Sequence, residues 1–307
     1  MRLCTTTGDF VSVCESNAEA IKLLGKTPFK YADIDFYGKF RKEMNCANYM
    51  QNAVKIKNAC LEHGIIPVQA HACDFYPDCG TELYMDTIKN TIRVCGFLGI
   101  KNVVVHSQTR PDLVRPDFKK EYLRWNKELY MEILPIAEEL GINILTENKA
   151  EKLVWDQCYV MSGDDINELI DYVGHNNFKA VWDTGHGNLR EGCNQYKEIT
   201  TLGKNLAGVH IQDNCGDWDL HTAPFFGTVV TDDIIKGLIE IGYEGYFTFE
   251  ADRFFMGDKL VPYKNPIGEF EADCRLKNSD ARWKVTAETM LFELGKYILD
   301  SYDLFEA

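Results

Sequence analysis

The chain carries no Cys-x-x-Cys pair, no apolar run approaching membrane-spanning length, no sustained lysine–arginine cluster and no glycine-rich phosphate loop. Each absence removes a class of function. The eleven cysteines are odd in number and scattered without a spacing. Such usage reads as reduced, mostly buried thiols rather than a disulfide framework or a zinc ribbon. Without about 20 consecutive apolar residues, no helix is expected to span a bilayer. The opening stretch MRLCTTTGDF holds no apolar signal core. A formal charge of −14 and an isoelectric point near 5.0 make the surface repel phosphate backbones and anionic lipid. Neither nucleic acid nor membrane is therefore expected as a partner, and the missing phosphate-loop motifs argue against a nucleotide cofactor. No low-complexity tract and no linker rich in proline, glycine or serine divides the chain. Residues 1–307 are expected to form a single cytoplasmic domain.

What is present is an alternation. Short β-branched runs bounded by turn residues occur at RLCTTT, YADIDFY, IIPVQAHA, KNVVVHS, INILTEN, KAVWDTGH, LAGVHIQDN and GYFTFEAD. Between them lie stretches of helical period. Ser16 to Glu19 reads as a capping box opening a helix that stops at Gly25. Asn45 to His63 sets Tyr49, Ala53, Ile56 and Cys60 on one face, with Gly64 as its stop. Asp117 to Leu140 aligns Tyr122, Trp125, Leu129, Ile133 and Ile136 before Gly141. Thr231 is placed to cap a helix from Asp232 to Ile241, and a last helix runs from Ala281 to Tyr302. Eight strand–helix units predict an α/β fold, the (β/α)8 TIM barrel, in preference to a doubly wound sheet. Two long loops, about 212–230 and 251–280, are expected on the active face.

Polar residues gather where the later strands end. Glu147, Asp183, His210 and Glu250 close the last four runs, where inward side chains of a barrel face its mouth. A strand-end glutamate taken alone is usually solvated or salt-bridged. Four acids and bases at matching places in consecutive units form a cage for one divalent metal. Three oxygens and one nitrogen suit manganese, magnesium, cobalt or zinc. His186, three residues past Asp183, is expected to bind a substrate oxygen. His71, His106, His221 and Arg253 are further substrate-binding candidates, each with a structural histidine or ion-pair role as the plain alternative. Trp218, Phe225 and Phe226 fall in a loop, where they could wall a sugar face or an oligomer contact. A dimer or tetramer is expected.

Thr146-Glu147-Asn148, the Asp183-Thr184-Gly185-His186 turn, His210-Ile211-Gln212-Asp213-Asn214, Asp219-Leu220-His221, Pro224 to Gly227 and Tyr243-Glu244-Gly245 leading to Glu250 resemble the xylose isomerase-like superfamily of sugar isomerases and epimerases. The likeness runs over nearly the whole chain, and its motifs are specific to the superfamily but not to a substrate. It implies the barrel, a bound divalent metal that is often manganese, the four ligands above, and proton chemistry by Glu147 and Glu250. A sugar or sugar phosphate isomerase or epimerase working through an enediolate is expected. Two departures stand out. Gln212 occupies a place often held by lysine, and Pro224-Phe225-Phe226-Gly227 replaces Pro-Gly-x-Gly.

His71, His106, Glu147, Asp183, His186, His210, Asp219, His221 and Glu250 also match the three-zinc cluster of the apurinic-site endonuclease family on the same barrel. A trinuclear nuclease is therefore the main alternative, opposed by the acidic charge. A lyase or dehydratase on the same scaffold and a non-catalytic sugar-binding barrel complete the set.

Overall fold

The computed structural model describes residues 1–74, 80–108, 118–149, 159–251 and 280–307. Eight strands, β1 (Arg2–Thr6), β2 (Tyr31–Asp35), β3 (Ile66–His71), β4 (Asn102–Val104), β5 (Asn143–Glu147), β6 (Phe178–Asp183), β7 (Leu206–Ile211) and β8 (Tyr246–Phe249), close into a parallel barrel in sequence order. Closure is made by β1 against β8, with Arg2 opposite Tyr246 and Thr5 opposite Phe249. Each apolar run in the sequence is one of these strands. The doubly wound alternative is thereby excluded, because a closed ring has no sheet edge.

The helices follow the expected pattern: α1 (Asn17–Leu24), α2 (Tyr49–His63), α3 (Gly80–Leu98), α4 (Phe118–Glu139), α5 (Gly163–Val173), α6 (Thr184–Asn188), α7 (Gln195–Leu202), α8 (Thr231–Glu240) and α9 (Ala281–Asp300). Ser16 caps α1 by accepting from the Glu19 amide, as expected. Glu19, however, accepts from the Glu15 amide, so the reciprocal half of the box is shifted by one residue. Gly64 ends α2 in the left-handed region at φ 68°, a conformation that costs glycine nothing. Buried Ala53, Ile56 and Cys60 are the inner face of α2. The expected Thr231 cap is corrected. Thr231 is itself the first helical residue of α8, and Val230 precedes it with no side-chain cap bond. Asp232 and Asp233 still face the positive end of that helix dipole.

The main core lies between the strands and the helical ring, where Trp182, Phe178, Tyr130, Phe247 and Phe249 are fully buried. A separate cluster of Val104, Leu145 and Val181, with Ala207 against it, plugs the barrel axis. Other interior positions are polar: Cys4, Asp33, Gln69 and His210 are all nearly inaccessible.

The expected loop at 212–230 is held rather than loose. Asp213 and Thr222 form an antiparallel bridge. The Asp213 carboxylate accepts from the amides of Asn214, Gly227 and Val229 at 2.8–2.9 Å. Most of the expected loop at 251–280, Arg253 included, lies outside the described residues. Among the described residues, no helix is long and apolar enough to cross a membrane, and no disulfide joins the cysteines.

Candidate metal centre

Glu147 ends β5, Asp183 ends β6, His210 is the penultimate residue of β7, and Glu250 directly follows β8. Asp183 and His210 are opposite one another in the ladder, as are His210 and Thr248. Glu147 is opposite Val181, and Glu250 lies two residues beyond Thr248, so the ladder steps along the ring and the strand tilt of a barrel brings all four together at the mouth. One ligand atom from each lies within 4.8 Å of the others. His210 Nδ1 is 3.1 Å from Glu147 Oε1 and 2.9 Å from Glu250 Oε2. Asn148 clamps the neighbouring strand ends. It donates to the Asp183 carbonyl at 2.9 Å and accepts from the Asp183 amide at 2.7 Å.

The donor set fits a divalent cation. Asp183 Oδ2 and Glu250 Oε2 are buried carboxylate oxygens with no hydrogen-bond donor among the described residues. Glu250 Oε2 sits close to His210 Nδ1 but outside bonding alignment. Burying such oxygens is costly unless positive charge meets them. Burial alone would raise the Glu147 carboxyl, yet the His210 charge and hydrogen bonds from His106, His210 and His71 hold it well below the usual range. Burial likewise opposes ionisation of Glu250, and His210 draws it down to about 2. Burial wins at Asp183, pushing it up to about 7 against the His186 charge. Burial would keep His210 neutral, but Glu250 and Glu147 hold it well above the normal imidazole range. The metal-free cage therefore balances its negative charge with protons.

A cation entering the cage needs the His210 Nδ1 lone pair and an ionised Asp183, so it must expel those protons. Since both groups are protonated or partly so at pH 7, binding is expected to release about one proton or more per cation. Affinity should rise as pH increases from 6 to 8. Calorimetry with manganese or zinc in two buffers of different ionisation heat measures this directly. A heat independent of buffer would contradict it.

The expected substrate-binding histidines also converge. His71 donates from Nδ1 to the Ala72 carbonyl at 2.9 Å and turns Nε2 to Glu147 Oε2 at 3.5 Å. His106 has Nδ1 3.1 Å from Asp74 Oδ1 and Nε2 2.8 Å from the same Glu147 oxygen. His186 has Nδ1 3.0 Å from the Asn148 carbonyl and Nε2 3.5 Å from Asp219 Oδ2. His221 has Nδ1 3.0 Å from the Glu250 carbonyl and Nε2 2.8 Å from Asp219 Oδ2. In each ring a fixed acceptor holds the proton on one nitrogen and aims the other at a carboxylate. That arrangement requires a second proton on the ring or a cation between the two groups. His71–His106–Glu147 and His186–Asp219–His221 are accordingly two more trios whose ligand atoms fall within 4.8 Å. Burial works against charge on His71 and His186. Glu147 nevertheless raises His71 to about 9, and Asp183 with Asp219 raises His186 to about 10. His221 is held with φ 45°, a strained backbone for a residue with a side chain.

Gln212, the departure noted in the sequence, donates from Nε2 to Asp219 Oδ1 at 2.7 Å and Asp183 Oδ1 at 3.2 Å. It ties the long loop to the cage. Phe225 and Phe226 are more than half exposed on that loop. Sequence reasoning missed Asp33, Gln69, Asp74 and Gln108 as partners of the site histidines. For Asp33 in β2 and Gln69 in β3 the detectable signal was an acid or amide at an inward position of an otherwise apolar strand; Asp74 and Gln108 lie beyond the ends of β3 and β4, where no such signal marks them.

A family model described as a xylose isomerase-like TIM barrel matches residues 19–264. The uncharacterized protein MJ1311 of Methanocaldococcus jannaschii is 27% identical over 170 residues, 55% of this chain and 57% of that protein. The chain thus matches less than two thirds of the length of that relative. Inosose isomerase of Bacillus velezensis is 27% identical over 202 residues, 62% of this chain and 69% of that one. Among solved structures, a D-tagatose 3-epimerase-like protein superposes with a TM-score of 0.71 at 20% identity, covering 98% of this chain and 100% of the other. The IOLI protein with a bound zinc atom gives 0.70 at 19% identity, covering 97% and 99%. At those identities the structural likeness shows the barrel.

Proposed function

The chain belongs to the xylose isomerase-like TIM barrel family, and from that premise we propose that it is a divalent-metal-dependent isomerase or epimerase of a sugar or sugar phosphate. The carrying observation is the convergence of Glu147, Asp183, His210 and Glu250 ligand atoms within 4.8 Å, with two buried carboxylate oxygens lacking a donor. The relatives supporting the class are an inosose isomerase and a D-tagatose 3-epimerase-like protein. A zinc-bearing barrel of the same shape supports the metal. Manganese and zinc are the first cations to load. The protein acts as a single cytoplasmic domain on a small molecule.

The four residues would hold the cation, which when bound supplies polarisation of the substrate carbonyl and compensates charge on the enediolate oxygen. Proton transfer falls to the two glutamates. Both are held ionised, well below their usual range or at about 2, so either accepts a proton from the carbon α to the carbonyl. Glu250, with 22% of its side chain exposed, is the more open of the two, and Glu147 is 1% exposed. To return a proton the other glutamate must first have taken one up from solvent; given to the opposite face that proton completes epimerisation, given to the neighbouring carbon it completes isomerisation, and the first glutamate, left protonated, releases its proton to solvent. His186 orients a substrate hydroxyl beside the cage.

Ketopentoses, ketohexoses and their phosphates, incubated in deuterated buffer with manganese or zinc, are expected to exchange one carbon-bound hydrogen, and chelator should stop it. Absence of exchange across that panel with fully metal-loaded protein would refute the enolising chemistry.

A second reading is favoured by one observation. The His71–His106–Glu147 and His186–Asp219–His221 trios would permit three zinc ions, as in the apurinic-site endonuclease barrel. The charge of −14 opposes binding of a DNA backbone. Metal analysis of the purified protein separates the readings: about one ion per chain for the isomerase, three zincs for the nuclease.

A further inference from the structure

His210 has two faces, and only one belongs to the cage. While Nδ1 meets Glu147 and Glu250, Nε2 meets Gln69 Nε2 at 2.9 Å and Asp33 Oδ2 at 3.5 Å. Asp33 on β2 and Gln69 on β3 are paired in the ladder. Gln69 donates to Asp33 Oδ2 at 2.7 Å. The exposures of Asp33, Gln69 and His210 are 2%, 4% and 0%, so water does not substitute for either partner. Asp33 Oδ1 has no hydrogen-bond donor among the described residues. The opening that admits the amide is made by Gly208, two residues before His210 on the inward face of β7. A Cβ there would stand 2.8 Å from Gln69 Oε1.

These contacts constrain the ring. A neutral imidazole has one N–H and one lone pair. If Nδ1 gives its lone pair to a cation, Nε2 must carry the proton, and a buried N–H needs an acceptor. Asp33 Oδ2 is one. Gln69 is not a second, because a half-turn of its amide would set Oε1 against the Asp33 oxygen to which it donates; its part is to hold that carboxylate, and the N–H it turns toward Nε2 must move aside when that nitrogen carries the proton. We propose that Asp33 and Gln69 are positioning residues for the metal centre: Asp33 accepts the proton of His210 Nε2, Gln69 holds that carboxylate in place, and the Nδ1 lone pair is thereby aimed into the cage. This rests on the reading that the cage binds a divalent cation. The plain alternative is a satisfied polar pair that only fills the barrel interior, and the two differ in what a neutral isostere does.

Asp33→Asn keeps the volume and removes the charged acceptor. Its dissociation constants for manganese and zinc, measured calorimetrically, are expected to be about 10–100-fold weaker than wild type. The metal-free variant should melt within a few degrees of wild type. Adding Gln69→Glu, which returns a carboxylate to the same nitrogen, should recover most of the affinity. Long-range proton–nitrogen NMR of histidine-labelled wild type loaded with zinc should show the His210 proton on Nε2. That spectrum decides the matter even if Asp33→Asn fails to fold. Unchanged affinity in a folded Asp33→Asn, or a proton on Nδ1 in the loaded wild type, overturns the proposal while leaving the cage intact. A wild type that binds neither cation refutes the reading of the cage, and this proposal with it.

Discussion

Glu147→Gln is expected to abolish solvent exchange and turnover, a loss of about 10²–10⁴-fold from proton transfer alone, in a chain whose far-UV spectrum is unchanged. Glutamine preserves the shape of a side chain that is 1% exposed at the end of β5, so the barrel has no reason to open. What it removes is the charge that four histidines face. His106 is at 2.8 Å, His210 at 3.1 Å, and His71 and His186 at 3.5 Å. The carboxylate serves the cage and, by the proposed mechanism, one of the two proton transfers, so both uses fail together. Metal affinity should fall along with exchange. His71 owes its rise to about 9 chiefly to Glu147 overcoming burial, so its pKa should drop in the variant, and histidine NMR reads that change without any substrate. Full exchange activity in Glu147→Gln would remove the residue from the mechanism.

The second large effect is expected at a residue with no functional group. Gly185→Ala would place a methyl 2.1 Å from Gln212 Cδ and Oε1, inside any permissible contact. Gln212 is 1% exposed and bonded to both Asp183 and Asp219. It has no empty space to retreat into without releasing one of them. Displacing Asp183 by even an ångström misaligns a reacting centre, and such shifts cost about 100-fold. A comparable fall in kcat/KM is therefore expected, with weaker metal binding. Gln212→Ala in the same chain removes the clash and should recover metal affinity more than activity, since the loop carrying Asp219 loses its tie. Wild-type kinetics in Gly185→Ala would show that the Asp183 turn tolerates movement.

The fold was legible because its signals are local. Each strand is a β-branched run with turn residues at both ends, and each outer helix keeps an apolar stripe of period 3.6. Gly64 and Gly141 mark stops that need positive φ, at 68° and 63°. Where the local signal failed, tertiary packing had overridden it. Thr231 has a good capping side chain, but it is 8% exposed and already helical. The four cage residues were legible for a related reason. They sit at the same place in successive units, and a closed parallel ring of tilted strands brings those places together at the mouth.

Composition, alternation and strand-end chemistry by themselves determined the barrel, its acidic charge, and which four strand-end residues converge at the mouth, because each follows from a count, a period or a position within one repeating unit. Only the tertiary structure decided that His71 and His106 share Glu147, that Asp219 collects His186 and His221, that Gln212 bridges two carboxylates, and that Asp33 and Gln69 back His210. Those partners lie on different strands and loops, 141 residues apart in the case of Gln69 and His210. A hydrogen bond depends on distance and direction in space, and separation along the chain carries no trace of either.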